Sequence, residues 1–414
     1  MIALFTVSGR APCGAVVRSG QTGAVNSYEV EINRASASPD IMKTIVYVAK
    51  PHRKDANMSK FEKFWDRSDT KWAHPEGVMA YETMNKDSHI ADVILNRDIP
   101  YAQRKAMIKQ QEESVAAQFG LTADPRAEIY WADGIAEEPD APKVQITVVR
   151  PERQRANMPC IMNIPGGGLI MCAPNSGLAA LSDTFKAVVV GVKYRSIFDF
   201  SDEKEGGYPG SINDVHAAYQ WIIDNAEMLS IDPDKIVIKG GSSGSHMALA
   251  LCHRLKRYDY CGHMPRGCVV SCAICDERNI YPSSKLKVGG WDGPTNFASG
   301  QAWLGSYANP AYVPAEAYAN HAEPEDCIGL PPTFMHVDEN DPTSDPSMIY
   351  ASKLMQAGVY TELHLWGGCA HGGMSTTAQF DPDSEFGQRY TTLFNGNIRD
   401  CLKYDLRRQW TTEE

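Results

Sequence analysis

The sequence lacks any apolar run approaching the roughly 18 residues needed to span a bilayer. Stable membrane insertion is therefore not expected. It also lacks a positive charge excess, since the net charge is −11. A surface this acidic repels phosphate backbones and anionic headgroups, so no nucleic acid is expected as a partner. No acidic residue precedes Glu29, whereas Arg10 and Arg18 do. The start, MIALFTV, has no positive region before a short apolar stretch, which argues against a signal peptide. A transit peptide has similar composition, but a poorly ordered extension fits better, and Met42 offers a second start. The 11 cysteines form an odd set without framework spacing. In a chain of 414 residues that predicts reduced thiols and a cytoplasmic setting. Internal repeats and low-complexity tracts are missing too. What is present is 43% hydrophobic and 22% charged residues, the balance of a globular protein with room for one large core and a cap, or for two domains.

Along the chain, residues 1–55 have weak periodicity and read as an extension with one strand, KTIVYVAK, at 43–50. Residues 56–120 read as a helical cap segment, with FEKFWDR and AQRKAMIKQQEESVAAQF as its clearest pieces and Gly120 as a stop. From 121 to about 405 short apolar runs alternate with helical patterns. The runs are EIYWAD (128–133), KVQITVVR (143–150), CIMNIP (160–165), AVVVGVKYR (187–195), KIVIKG (235–240), CVVSCAIC (268–275), TFMHV (333–337) and TELHLW (361–366). Continuous apolar strands separated by helices predict an α/β fold with a mainly parallel sheet covered on both faces. Ile212, Val215, Tyr219 and Ile222 share one face of a helix at 211–226, and Asp232–Pro233 supplies a turn before the next strand. A second cap insertion is expected at about 280–325.

The segment KIVIKGGSSGSHMALALCHRLK (235–256) reads as strand, Gly-rich turn and helix. Within it, Gly240-Gly241-Ser242-Ser243-Gly244 fits G-x-S-x-G. So tight a turn needs very small neighbours, and it projects the serine where free helix amides favour developing negative charge. A Gly/Ser-rich connection is the bland reading; the strand before and the helix after favour a nucleophile at Ser242. Ser243 then offers its backbone N–H.

Three further places complete the chemistry. Gly166-Gly167-Gly168, directly after the strand CIMNIP, lets backbone amides turn toward an oxyanion because no Cβ blocks them. The acid should follow the strand TFMHV, where Asp338, Glu339, Asp341 and Asp345 compete. Asp341 is favoured because Asp341–Pro342 opens the turn into a helix around 344–357. The base should follow TELHLW, where His371 stands in a CAHGG loop; His364 lies within the strand itself. Ser, acid and His in this order fit the chain order of a triad on such a sheet.

Taken together the motifs resemble the hormone-sensitive-lipase-like branch of the α/β-hydrolases, the bacterial acetyl-esterase type. That family carries HGGG, V-x-Y-R, G-D-S-A-G-G-H, D-P-x-x-D and an H-G loop. Here PGGG stands at 165–168, VKYR at 192–195, GGSSGSH at 240–246, DPTSD at 341–345 and AHGG at 370–373, with IDPDKI at 231–236 and LPPTF at 330–334. The resemblance covers roughly residues 125–400 and implies the α/β-hydrolase fold with a helical cap. It implies Ser242 as nucleophile, Asp341 as orienting acid and His371 as base, with Gly167, Gly168 and Ser243 as oxyanion donors. It implies cleavage of small-molecule carboxylic esters through an acyl-enzyme, without metal or other cofactor. Pro165 replaces the histidine of HGGG and Gly241 the aspartate of GDSAG, which leaves loop geometry and substrate preference open.

Competing readings use the same residues or neighbouring ones. An amidase or small peptidase shares the machinery and differs in leaving-group protonation. A non-catalytic ligand receptor on this fold would be expected to lose a triad member. A metal site would draw on Cys252, His253, Cys261, His263, Cys268, Cys272 and Cys275. Cys268, Val270 and Cys272 alternate along a strand while Cys275 falls on the other face, which favours buried structural cysteine. The oligomeric state stays open, with a homodimer as one option.

Overall fold

The computed structural model describes residues 15–22, 25–32, 44–49, 65–85, 96, 98–118, 124–172, 177–199, 207–288, 293–304 and 313–407. They belong to two compact units, residues 1–64 and 65–414. The targeting reading of the first residues, Met42, most of FEKFWDR and Gly120 lie outside the described residues.

In the first unit, β1 (Ala15–Thr22), β2 (Val25–Ile32) and β3 (Thr44–Ala49) form an antiparallel sheet in that order. The expected strand at 43–50 is β3; the other two were not expected. AVVRSGQT has no apolar alternation after Val17, whereas VNSYEVEI does alternate over Tyr28–Ile32, a strand pattern that the reading of this segment passed over.

The second unit is built on eight strands: β4 (Glu128–Ala132), β5 (Val144–Val149), β6 (Met158–Ile164), β7 (Val188–Lys193), β8 (Ile231–Gly241), β9 (Gly267–Ser271), β10 (Thr333–Asn340) and β11 (Thr361–Ala370). They lie in the order β11-β10-β9-β8-β6-β7-β5-β4. Neighbours from β7 to β11 pair in parallel, while β5 pairs antiparallel with both β7 and β4. All eight expected runs are strands. Several differ in extent, β10 and β11 running on to Asn340 and Ala370. CVVSCAIC stops being a strand at Ser271, because Cys272 turns to φ 52°. Asp232–Pro233 lies inside β8, in a register shift between the Met158–Ile231 and Cys160–Ile236 pairs, with the Asp232 carboxylate accepting the Asp234 N–H.

Strand periodicity splits the core in two. Cys160, Met162, Ile236, Ile238, Cys268 and Val270 face one apolar cluster, whereas Ile161, Val237 and Val269 face another. The first face carries α4 (Gly210–Asp224), α5 (Ser243–Arg257) and α7 (Ser344–Gln356); the second carries α3 (Leu178–Phe185), α8 (Gly373–Phe380) and α9 (Glu385–Lys403). Ile212, Val215, Tyr219 and Ile222 of α4 are all fully buried, as their spacing predicts. Ahead of the sheet stand α1 (Val78–Asn85) and α2 (Tyr101–Gln118), the latter matching the predicted helical run. Between β9 and β10 come α6 (Gly293–Leu304) and several single turns. No described helix is long and apolar enough to cross a membrane.

Candidate active site

Ser242 occupies the single residue between β8 and α5, at φ 54° and ψ −124°, a region disfavoured for side chains other than glycine. Its neighbours explain why the turn closes. A Cβ on Gly240 would lie 2.4 Å from the Gly244 carbonyl oxygen, and one on Gly244 would lie 2.1 Å from that of Ile164. Gly241 differs: a Cβ there meets only Ser271 Oγ, at 3.6 Å. The Ser242 N–H donates to the Ser271 carbonyl at 2.9 Å, tying the turn to β9.

The structure brings the three expected residues together. Ser242 Oγ lies 2.7 Å from His371 Nε2, and His371 Nδ1 lies 2.7 Å from Asp341 Oδ2. Asp341 is fully buried and its Oδ1 accepts the Thr343 N–H at 2.8 Å. Burial opposes a charge on His371, but the charge and hydrogen bond of Asp341, with Asp338 behind, hold its pKa above the ordinary histidine value. A bulge in β11 aims the imidazole. The register passes from Asp338–Trp366 to Asn340–Ala370, with Gly368 at φ 72° and its carbonyl accepting the His74 N–H at 3.0 Å. Gly372, at φ 74°, then starts α8.

The glycine loop after β6 lies against this turn. A Cβ on Gly166 would meet the Gly241 carbonyl oxygen at 2.9 Å and Ser242 Cβ at 3.2 Å. Gly167 and Gly168 take φ 135° and 63°, and the Gly167 carbonyl accepts from Ile170 and Met171. Among the described residues, the amides of Gly167, Gly168 and Ser243 donate to no backbone carbonyl. Tyr194, from the VKYR segment, donates to the Pro165 carbonyl at 2.9 Å and stands 3.2 Å from Ser243 Oγ, bracing loop against elbow. Glu112 of α2 accepts the Cys172 N–H, and Ile108 shares a cluster with Leu169 and Ile170.

The remaining candidates go elsewhere. Glu339 is exposed toward Arg67, at 3.6 Å, and Asp345 accepts the Ser283 N–H at 2.8 Å. His364 stacks on His336 and faces Glu362. Asp338 is buried beside the triad but accepts from the Cys272 thiol at 3.1 Å instead of from His371. The cysteine and histidine group weighed as a metal site is dispersed: His253 pairs with Tyr350, His263 with Asp234, and Cys275 with Ser347. Two other sets of ligand atoms do lie close, Cys272 with Asp341 and His371, and Asp276 with Glu277 and His321. In the second set Arg278 and Tyr281 already bind Asp276, and His321 binds Glu277. The contacts of Cys272 have no spacing signal in the sequence, and VKYR marks Tyr194 without saying what it braces.

Residues 161–375 match the family described as the alpha/beta hydrolase fold, more than half of the chain. The chain belongs to this family. It is the family to which the order of motifs pointed. Among curated relatives, a carboxylesterase/phospholipase, LipF, of Mycobacterium tuberculosis is 30% identical over 227 residues, covering 51% of this chain and 55% of that protein. Esterase LipU of the same species is 27% identical over 223 residues, covering 51% and 69%. The chain thus spans about half the length of the first of these relatives. Among solved structures, a bacterial heroin esterase superposes with a TM-score of 0.62 at 25% identity, over 81% of this chain and 99% of that one. Brefeldin A esterase, with a TM-score of 0.63 at 19% identity over 80% and 95%, shares the fold.

Proposed function

We propose that this α/β-hydrolase cleaves small-molecule carboxylic esters by two-step acyl transfer. The observation that carries the reading is the relay of two 2.7 Å hydrogen bonds from Ser242 through His371 to a buried Asp341, held at a strained elbow. His371 Nε2 takes the Ser242 proton as Oγ attacks the ester carbonyl. Asp341 fixes the imidazole tautomer and stabilises its cation. The carbonyl oxygen becomes an oxyanion and is met by the amides of Gly167, Gly168 and Ser243. His371 returns the proton to the departing alcohol. Water, deprotonated by His371, then attacks the acyl-enzyme, and His371 passes that proton to Ser242 Oγ as the acid leaves. These steps need no metal. The names of the relatives, carboxylesterase and esterase, support ester over amide.

We assign α2 and the region around 280–325 to the cap, because α2 lies against the loop that bears the oxyanion donors. A cytoplasmic setting is supported by ten cysteines that are all free among the described residues.

The test is Ser242→Ala assayed on p-nitrophenyl esters of graded chain length beside anilide analogues. Turnover should fall on the order of a million-fold with the fold unchanged by circular dichroism. A fluorophosphonate should modify Ser242 in the wild type. Modification of Ser243 instead, or faster turnover of the anilides, would overturn the reading.

A further inference from the structure

Behind the Asp341–His371 pair lies a second buried carboxyl group that takes no proton and makes no bond in the acyl transfer. Asp338, near the end of β10, is 2% exposed. Its Oδ2 accepts from the Cys272 thiol at 3.1 Å. The same sulfur accepts the N–H of Gly372, the residue after His371, at 3.2 Å. Cys272 Sγ, an Asp341 oxygen and a His371 nitrogen all lie within 4.8 Å of one another. One thiol is therefore wedged among two carboxyl groups, the imidazole and the backbone that carries it. Burial, then the charges of Asp338 and Asp341, push the Cys272 pKa well up, so it remains a protonated donor.

The charges around Asp338 are one-sided. Asp341 faces it from the loop after β10, and Glu339 is its neighbour on the strand. Cys369 and His371 face it from β11 and the following loop, Tyr390 from α9, and Cys272 from the segment after β9. His336, two residues back on β10, is kept neutral by burial, with its pKa lowered to about 4. Among the described residues no lysine or arginine forms an ion pair with Asp338. The cation nearest to hand is His371 itself, once it has taken the serine proton.

We propose that Asp338, linked through Cys272, is a positioning residue that sets the basicity of His371. Ionised, it adds a second negative charge that stabilises the imidazolium formed in acyl transfer; protonated, it withdraws that help. The proposal rests on the serine-hydrolase reading for its effect on rate, but not for the coupling itself. Burial and then the Asp341 charge push Asp338 up to about 7, so its charge changes in the range where His371 works. As pH falls through that range Asp338 gains a proton, and the tendency of His371 to hold one declines. The imidazole titration is thereby broadened.

Asp338→Asn keeps the size and the acceptor for the Cys272 thiol while removing the charge. The acid limb of kcat/KM for a short-chain ester should move to lower pH by about one unit, the effect of one nearby charge. KM should hold, and turnover above the limb should fall about tenfold, since one pKa unit is a factor of ten. Cys272→Ser, which keeps a donor, should retain the wild-type profile. The His371 ring titration, followed by NMR, reads the coupling without any substrate. A lower midpoint and a single, narrower transition in Asp338→Asn support the proposal even if the wild type cleaved no ester, a result that would sink only the substrate reading. An unchanged ring titration in folded Asp338→Asn overturns it. Should that variant not fold, Cys272→Ala decides: loss of the thiol donor raises Asp338 further and lowers the His371 midpoint, and no movement overturns the proposal.

Discussion

At the scale of the residue, the site depends on which nitrogen of one imidazole carries a proton. Asp341 is buried and already takes the Thr343 N–H through Oδ1, so only Oδ2 remains for His371. Asp341→Asn should present an amide donor to Nδ1 and favour the wrong tautomer. Turnover on a short-chain ester should drop about ten-thousand-fold. A loss under tenfold would move the acid elsewhere. In the wild type kcat/KM should decline as pH falls through a midpoint above the ordinary histidine value, because Asp341 and Asp338 favour the charged ring and the reaction needs the neutral one. These residues differ in how clearly the sequence marks them. Ser242 announced itself by flanking glycines within a strand-turn-helix pattern. Chain order narrows the other two, but Asp341 stands out among four acids by the Asp341–Pro342 turn into a helix, and His371 by its loop at the end of the next strand. The Cys272–Asp338 contact has no local signal because it joins residues 66 positions apart, one just after β9 and one within β10. Nothing in local spacing encodes a lateral contact of that kind.

At the scale of the element, the elbow separates glycines that must be glycine from one that need not be. Gly244→Ala would place a methyl 2.1 Å from the Ile164 carbonyl oxygen, whereas Gly241→Ala meets nothing closer than 3.6 Å. Gly244→Ala should therefore destabilise by about 1–3 kcal/mol or more, the usual cost of overpacking. Gly241→Ala should stay within about 1 kcal/mol. Thermal unfolding of both, side by side, checks this, and equal losses would contradict it. Open space at Gly241 also fits the larger residue that the related motif carries there. The strands of the main sheet were legible because both faces are covered, which leaves continuous Val and Ile runs. β1 is not, because polar residues interrupt its alternation, while β2 carries a short period-2 pattern over Tyr28–Ile32 only. The bulges in β8 and β11 were equally silent, since each is set by register with a neighbour rather than by its own sequence.

At the scale of the whole molecule, buried histidines make stability depend on pH. Burial lowers His216, His246, His253 and His336 to about 4 each. An unfolded histidine titrates near 6.5, so below that pH the unfolded chain binds more protons at these four sites. Their contribution is complete above about 6.5 and is lost as pH falls toward 4. Asp214 and Asp338, raised by burial to about 6 and about 7, act in the opposite sense, since the folded chain holds those protons first. His371 and Glu112, also raised, act with them, but the four lowered histidines should still leave a net decline in denaturant midpoint between about pH 6.5 and 4. A flat midpoint across that window would show that the histidines are solvated. One feature of the sheet reaches beyond equilibrium. Ser242 and His371 stand 129 positions apart, on strands separated by β9 and β10. The relay cannot exist until both intervening strands are seated between its ends. Hydrolysis is thus a timekeeper for sheet closure: during refolding, helical ellipticity should return first and ester turnover should trail it, because contacts this distant in sequence form late.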